Sequence, residues 1–102
     1  MSEEPSPADI AKALGEVSAT DLVKGFLGTL IGKAWESLGL WLNPAVGETR
    51  TDLPEARVAI DAAQALFSVV SDRLTEEERR EIRRALADLQ VNYVERAKTS
   101  SG

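Results

Sequence analysis

Four arginines, Arg79, Arg80, Arg83 and Arg84, and four glutamates, Glu76, Glu77, Glu78 and Glu81, crowd one short stretch in the C-terminal third of this chain. Arginines at that density can bind phosphate or nucleic acid, and carboxylates at that density can hold a cation or move protons. Spacing weakens both readings. Glu76 and Arg80 stand four residues apart and Glu81 and Arg84 three, the separations at which side chains pair along one helix. Such exposed pairs contribute a few tenths of a kcal/mol each. A run of acids at a helix start also compensates the helix dipole and closes a capping box. With a formal net charge of −5, nucleic acid is not an expected partner, and the cluster reads as a solvated mixed-charge face.

The residue inventory narrows the chemistry further. There is no histidine, which removes the commonest general base and the commonest transition-metal ligand. There is no cysteine, so no disulfide framework, thiolate zinc site or cysteine nucleophile can be assembled. No nucleophile–base pair or phosphate-binding glycine loop stands out. The expectation is no catalytic residue, no metal and no cofactor. The N-terminus lacks a cationic, apolar, cleavable leader, which makes the cytoplasm the expected compartment. A length of 102 residues suits one small domain.

What remains is a pattern of contact. Between Asp21 and Leu42 an apolar run carries Gly25, Gly28, Gly32 and Gly39 at spacings of three, four and seven, which line one face of a helix. Glycine inside a helix costs roughly 1 kcal/mol relative to alanine, and close approach of another backbone is the usual compensation. Small residues at this spacing also dimerise membrane spans. Lys24, Lys33 and Glu36 argue against a span, because a charge at its centre costs roughly 2.5 to 3.5 kcal/mol on insertion scales.

The elements that must position this face can be read in order. Residues 1–19 form an acidic, partly flexible N-terminal segment. Within it Ser6 can cap a short helix with Pro7 at its first position and Ile10, Ala13, Leu14 and Val17 on one side, ending around Gly15 to Ser18. The helical domain spans 20–98, and 99–102 is a frayed tail. The glycine-striped helix starts at Thr20, as cap, with Asp21 in its first turn. It ends either at Gly39 in the left-handed conformation, with Leu40 folding back toward Trp35, or at Leu42 before Asn43 and Pro44.

Asn43 to Thr51 is a loop. Asp52, Pro54 and Glu55 then start a second long helix. Ala56, Ile60, Ala63, Phe67, Val70 and Leu74 make its heptad-like seam, with a second apolar stripe through Val58, Ala62, Ala65 and Val69. A helix apolar around so much of its circumference must be buried on more than one side. Thr75 to Glu78 is a capping box that opens a third long helix with Ile82, Leu86, Leu89 and Tyr93 on its inner face. The short connection makes these two helices an antiparallel hairpin. The fold class is all-α.

Several of these segments together carry a resemblance. LG at 38–39, NPAVGE at 43–48, DL at 52–53, AR at 56–57, ID at 60–61, LTEEE at 74–78 and L-x-x-x-Y-V-E from Leu89 to Glu95 resemble the bacterial family called domain of unknown function 1844, over roughly Leu22 to Lys98. The resemblance implies a small cytoplasmic bacterial helical protein with no assigned activity. This chain departs from the pattern before Leu74, where charged residues and Gly-Asn give way to Phe67, Ser68, Val69, Val70 and then Asp72-Arg73. The end of that helix is therefore more apolar and its C-cap less ideal.

Two apolar helices cannot hide all their surface within one three-helix unit, and large exposed apolar patches are rare on monomers. The expected partner is a second copy of the chain, as a homodimer or higher oligomeric bundle. Another protein could bind through the acidic N-terminus, and a membrane surface is the alternative through the Trp-rich glycine helix. The candidate interface is Gly25, Phe26, Gly28, Gly32, Trp35, Trp41, Phe67 and Val70, since aromatics concentrate in buried contacts.

Overall fold

The computed structural model describes residues 6–42 and 47–100, and among them there are four α-helices and no strand. They are α1 (Pro7–Glu16), α2 (Ala19–Ser37), α3 (Leu53–Val70) and α4 (Glu76–Ser100), with a 3-10 turn at Ser71–Arg73. Residues 1–5 of the segment expected to be partly flexible, 43–46 of the expected Asn43–Thr51 loop and 101–102 of the tail lie outside the described residues.

Short polar side chains set the helix starts. Ser6 caps α1 with Pro7 at its first position as expected, and Asp9 completes a capping box: Ser6 Oγ accepts from the Asp9 N–H and Asp9 Oδ2 accepts from the Ser6 N–H, both at 3.2 Å. For α2 the cap is Ser18 rather than Thr20: its Oγ accepts from the Asp21 N–H at 3.0 Å, and the helix starts at Ala19. Thr20 lies inside the first turn, because Ser18 already occupies the extended cap conformation. Asp52 caps α3 by accepting from the Glu55 N–H, as expected. Thr75 and Glu78 form the box that opens α4, with the Thr75 N–H donating at 2.9 Å and the Glu78 N–H at 3.1 Å.

The two possible ends of α2 resolve in favour of Gly39. Its φ is +79°, the Gly39 N–H donates to the Glu36 carbonyl at 2.9 Å and the Leu40 N–H to the Trp35 carbonyl at 3.1 Å. That is the Schellman pattern, which satisfies two of the last carbonyls. The chain returns beside this turn: the Asp52 N–H donates to the Ser37 carbonyl at 2.7 Å and Leu38 bridges to Thr51. A Cβ on residue 39 would collide with Oγ1 of Thr51.

α3 packs mainly on α2, and α4 covers α3 as the antiparallel hairpin requires. The core contains Leu27, Ala34 and Leu38 from α2, Ala56, Ala59, Ile60, Ala63 and Val70 from α3, and Leu74, Leu86 and Leu89. Four of these are alanines. The close approach of α2 to α3 is therefore made by Ala34 and the Ala56–Ala59–Ala63 stripe, not by glycine. Helix α3 ends at Val70, before Leu74, and Leu74 is buried from beyond the 3-10 turn. At the other end α4 continues past Lys98 through Ser100, with Thr99 Oγ1 donating to the Arg96 carbonyl at 3.0 Å.

The radius of gyration is 16.1 Å, against about 13 Å for a compact chain of this length. Helix α1 contributes to the excess, since it has no buried residue.

Candidate functional site

Arg79 is not part of a solvated charge face. Its Nη1 donates to the Ser71 carbonyl at 2.9 Å and the Leu74 carbonyl at 2.6 Å, and its Nη2 pairs with Glu76. Here the non-ideal end of α3 finds its cap, in a side chain from the next helix. Glu76 is held below the usual carboxylate range chiefly by that Arg79 hydrogen bond. Among the described residues neither Glu76–Arg80 nor Glu81–Arg84 forms an ion pair; Arg79 takes Glu76, and Lys24 takes Glu78. Arg83 lies over the Phe67 ring at 5.7 Å. The four arginines thus point to different jobs, and no group of metal-ligating side chains occurs among the described residues.

A groove runs between α2 and α4. The two helices run parallel, with Lys24 Nζ 2.7 Å from Glu78 Oε2 near one end, yet they touch sparingly. One depression along the seam is lined by Leu27, Gly28, Ile31 and Ile82 beside Lys24, Glu78 and Glu81. A second, of about 450 Å³, continues from Glu81 to Trp35, Ala85 and Asp88, with Arg80 and Arg84 at its edge. The floor is largely apolar and the α4 edge alternates in charge.

Of the glycine stripe, Gly28 lines this groove. Among the described residues a Cβ at Gly25 or Gly28 would meet nothing within 4 Å, so none of them explains these glycines. At Gly32 the Trp41 ring would be 3.5 Å away. Trp41 in turn stacks on Trp35, with centroids 6.1 Å apart and planes 20° from parallel. Trp41 is nevertheless 51% exposed.

Of the eight interface candidates, the structure brings five together: Gly25, Gly28, Gly32, Trp35 and Trp41 share one side of α2. Phe26 is exposed but sits about 100° around the helix from Gly25, away from the groove. Phe67 is half-buried beneath Arg83, and Val70 belongs to the chain's own core. Sequence reasoning grouped them because both fall on an apolar seam, and that seam is satisfied by α2 and α4. The α4 side of the groove carries no such signal, because Arg80, Glu81 and Arg84 read in the sequence as ordinary solvated charges.

Residues 13–95 match the family described as Domain of unknown function (DUF1844). The chain belongs to this family. The DUF1844 match starts in the second half of α1, earlier than the resemblance from Leu22, and so takes in the α1–α2 junction together with the groove. No curated protein and no solved structure matches the chain. Among the described residues no helix is long and apolar enough to cross a membrane.

Proposed function

We propose that this DUF1844 protein is a self-associating helical module that acts in the cytoplasm through protein contact, without catalysis. The observation that carries the reading is the outer stripe of α3. Val58, Ala62, Ala65 and Val69 recur at steps of four, three and four, the spacing of a helix–helix seam, and Val58 is 61% and Val69 75% exposed. Ile10, Leu14 and Val17 on α1 and Val91 and Val94 on α4 are exposed as well. Isolated surface apolar residues are ordinary, but aligned ones on three helices of so small a chain favour association. The lack of histidine and cysteine supports the non-catalytic part of the reading.

The test is the absolute mass in solution by light scattering over a dilution series without detergent. A dimer or higher oligomer that dissociates only on strong dilution is expected. A well-folded monomer at every concentration overturns the reading.

Contact with a membrane surface is the competing function. Leu40, Trp41 and Leu42 are exposed in succession at the end of α2, a short apolar tip of the kind that enters an interface. Flotation with vesicles separates the two readings.

A further inference from the structure

Helix α3 is the middle element of the chain: α2 and α4 both pack on it, and its outer stripe looks the other way. Val69 is nine residues from Ile60, about 180° around the helix, and Ile60 is 1% exposed while Val69 is 75% exposed. The stripe is also a palindrome. Val58, Ala62, Ala65 and Val69 read valine, alanine, alanine, valine in either direction, and both the valine pair and the alanine pair are centred between Ala63 and Gln64.

Such symmetry is what a two-fold contact requires. In an isologous interface residue i of one copy meets residue j of the other while j meets i. Two antiparallel helices related by a two-fold axis place i and j at equal distances on either side of that axis. With the axis at the centre of the stripe, Val58 meets Val69 and Ala62 meets Ala65, each twice. The alanines let the two helices approach closely at the axis, and the valines fill the space where crossing helices diverge.

Charge selects the same direction. From Val58 to Val69 the one charged residue is Asp61, which pairs with Arg57 at 2.9 Å. Beyond the valines stand Glu55 at one end and Asp72 and Arg73 at the other, all exposed. Paired in parallel, Glu55 meets Glu55, and the nearest base, Arg57, is held by Asp61. Paired antiparallel, Glu55 of each copy is level with Asp72 and Arg73 of the other, so a base stands between the two acids at each end.

Helix α2 extends the face. Leu27 is buried in the core and Gly28 lines the groove toward α4, so Phe26, about 100° the other way, looks to the side away from α4. The Ser37 carbonyl accepts from the Asp52 N–H where α2 hands over to the antiparallel α3. Eleven residues back from Ser37 is Phe26, and eleven on from Asp52 is Ala63, at the centre of the stripe. Phe26 is 54% exposed, and an axis at that level brings the phenylalanines of both copies to the same side of the contact.

We propose that two copies of the chain dimerise through α3, antiparallel about a two-fold axis between Ala63 and Gln64, with Val58 of each copy on Val69 of the other and Phe26 at the rim. This rests on the self-association proposed above and assigns its axis, its direction and its residue pairs.

The chain has no cysteine, so disulfide cross-linking of the full chain reads the pairs directly. Val58→Cys chains mixed with Val69→Cys chains are expected to give, on mild oxidation, at least ten times the linked dimer that either gives alone or mixed with Val91→Cys chains. As much product from Val58→Cys or Val69→Cys alone marks a different pairing and overturns the proposal. Ala65→Glu and Phe26→Gln, at positions exposed in the single chain, are each expected to weaken dimerisation at least tenfold by light scattering with helix content unchanged, because the axis counts every substitution twice. If the unsubstituted chain is a dimer but no mixture cross-links, or Ala65→Glu dimerises normally, the α3 pairing is wrong while self-association stands. A monomeric unsubstituted chain overturns both.

Discussion

Lys24 Nζ lies 2.7 Å from Glu78 Oε2 and ties the early part of α2 to the first turn of α4. Glu78 also accepts from the Thr75 N–H, so one carboxylate closes a capping box and joins two helices. Lys24 holds Glu78 below its ordinary value, and the Thr75 N–H adds to the effect. Glu78 in turn raises Lys24 above its ordinary value. A depressed glutamate contributes stability above its unfolded value and loses it as pH falls through the folded one. A raised lysine contributes below its unfolded value and loses it as pH rises through the folded one. The pair therefore stabilises between the ordinary glutamate value of 4.5 and the ordinary lysine value of 10.5. Thermal melts should show Tm falling on acidification below that lower bound. Glu78→Gln should lower Tm at neutral pH and flatten the acid slope, with Glu76 supplying part of the slope that remains. An unchanged slope in Glu78→Gln would rule out this role.

Gly39, just past the end of α2, and Gly25, inside it, predict opposite responses to the same substitution. Gly39→Ala forces a side chain into the left-handed region and against Thr51, and is expected to destabilise by about 2 kcal/mol. Gly25→Ala adds a Cβ to open space in a helix interior, where alanine is favoured by roughly 0.5 to 1 kcal/mol. Denaturant midpoints of the two variants, measured at a concentration where the chain is monomeric, should move in opposite directions.

Much of the fold is legible in the sequence because its signals are local. Ser6-Pro7, Asp52-Pro54-Glu55 and Thr75-Glu78 name their helix starts through side chains that reach only three residues. The seam Ala56, Ile60, Ala63 and Val70 is buried as its spacing requires. Non-local relationships were not legible. Nothing in the neighbourhood of Arg79 indicates that it caps the end of α3, and nothing near Lys24 selects Glu78 over the acids beside it. The second stripe of α3 is apolar as its spacing suggests, and within the single chain Val58 and Val69 are exposed, because a sequence pattern counts apolar faces without saying how many neighbours one chain provides. The glycine stripe was legible as a face, but its place beside α4 depends on how α2 settles on α3.

Arg79 supplies a sharp contrast with its neighbour. Arg79→Met keeps much of the side-chain stem but removes the donors to the Ser71 and Leu74 carbonyls, and is expected to destabilise by about 1 to 2 kcal/mol. Arg80→Met removes an exposed charge and should stay within about 0.5 kcal/mol of the original chain. Equal urea midpoints for the two variants would show that the cap contributes nothing.

The alanine contact between α2 and α3 has its own signature. Ala63 is fully buried in the core, so Ala63→Leu overpacks and should destabilise by roughly 1 to 3 kcal/mol. Leu89→Ala opens a cavity instead, with an expected loss of about 2 to 5 kcal/mol. If Ala63→Leu were neutral or stabilising by chemical denaturation, α2 and α3 could not be packed as closely as alanine permits.

The membrane reading turns on Trp41. To enter a lipid interface its ring must leave Trp35, on which it stacks, and uncover Gly32. A stacked aromatic pair is worth about 0.5 to 1.5 kcal/mol beyond its buried area, and that contribution is lost if the ring inserts alone. Leu40 and Leu42 are short of the apolar surface that compensates, and the chain's net charge of −5 adds repulsion from anionic lipid. The expected outcome is no co-flotation with either neutral or anionic vesicles and no blue shift of tryptophan emission on adding them. The chain holds two tryptophans, Trp35 and Trp41, so their emission reports directly on this corner. Co-flotation with neutral vesicles, together with a blue shift that Trp41→Ala abolishes, would make a lipid surface the partner of the glycine face.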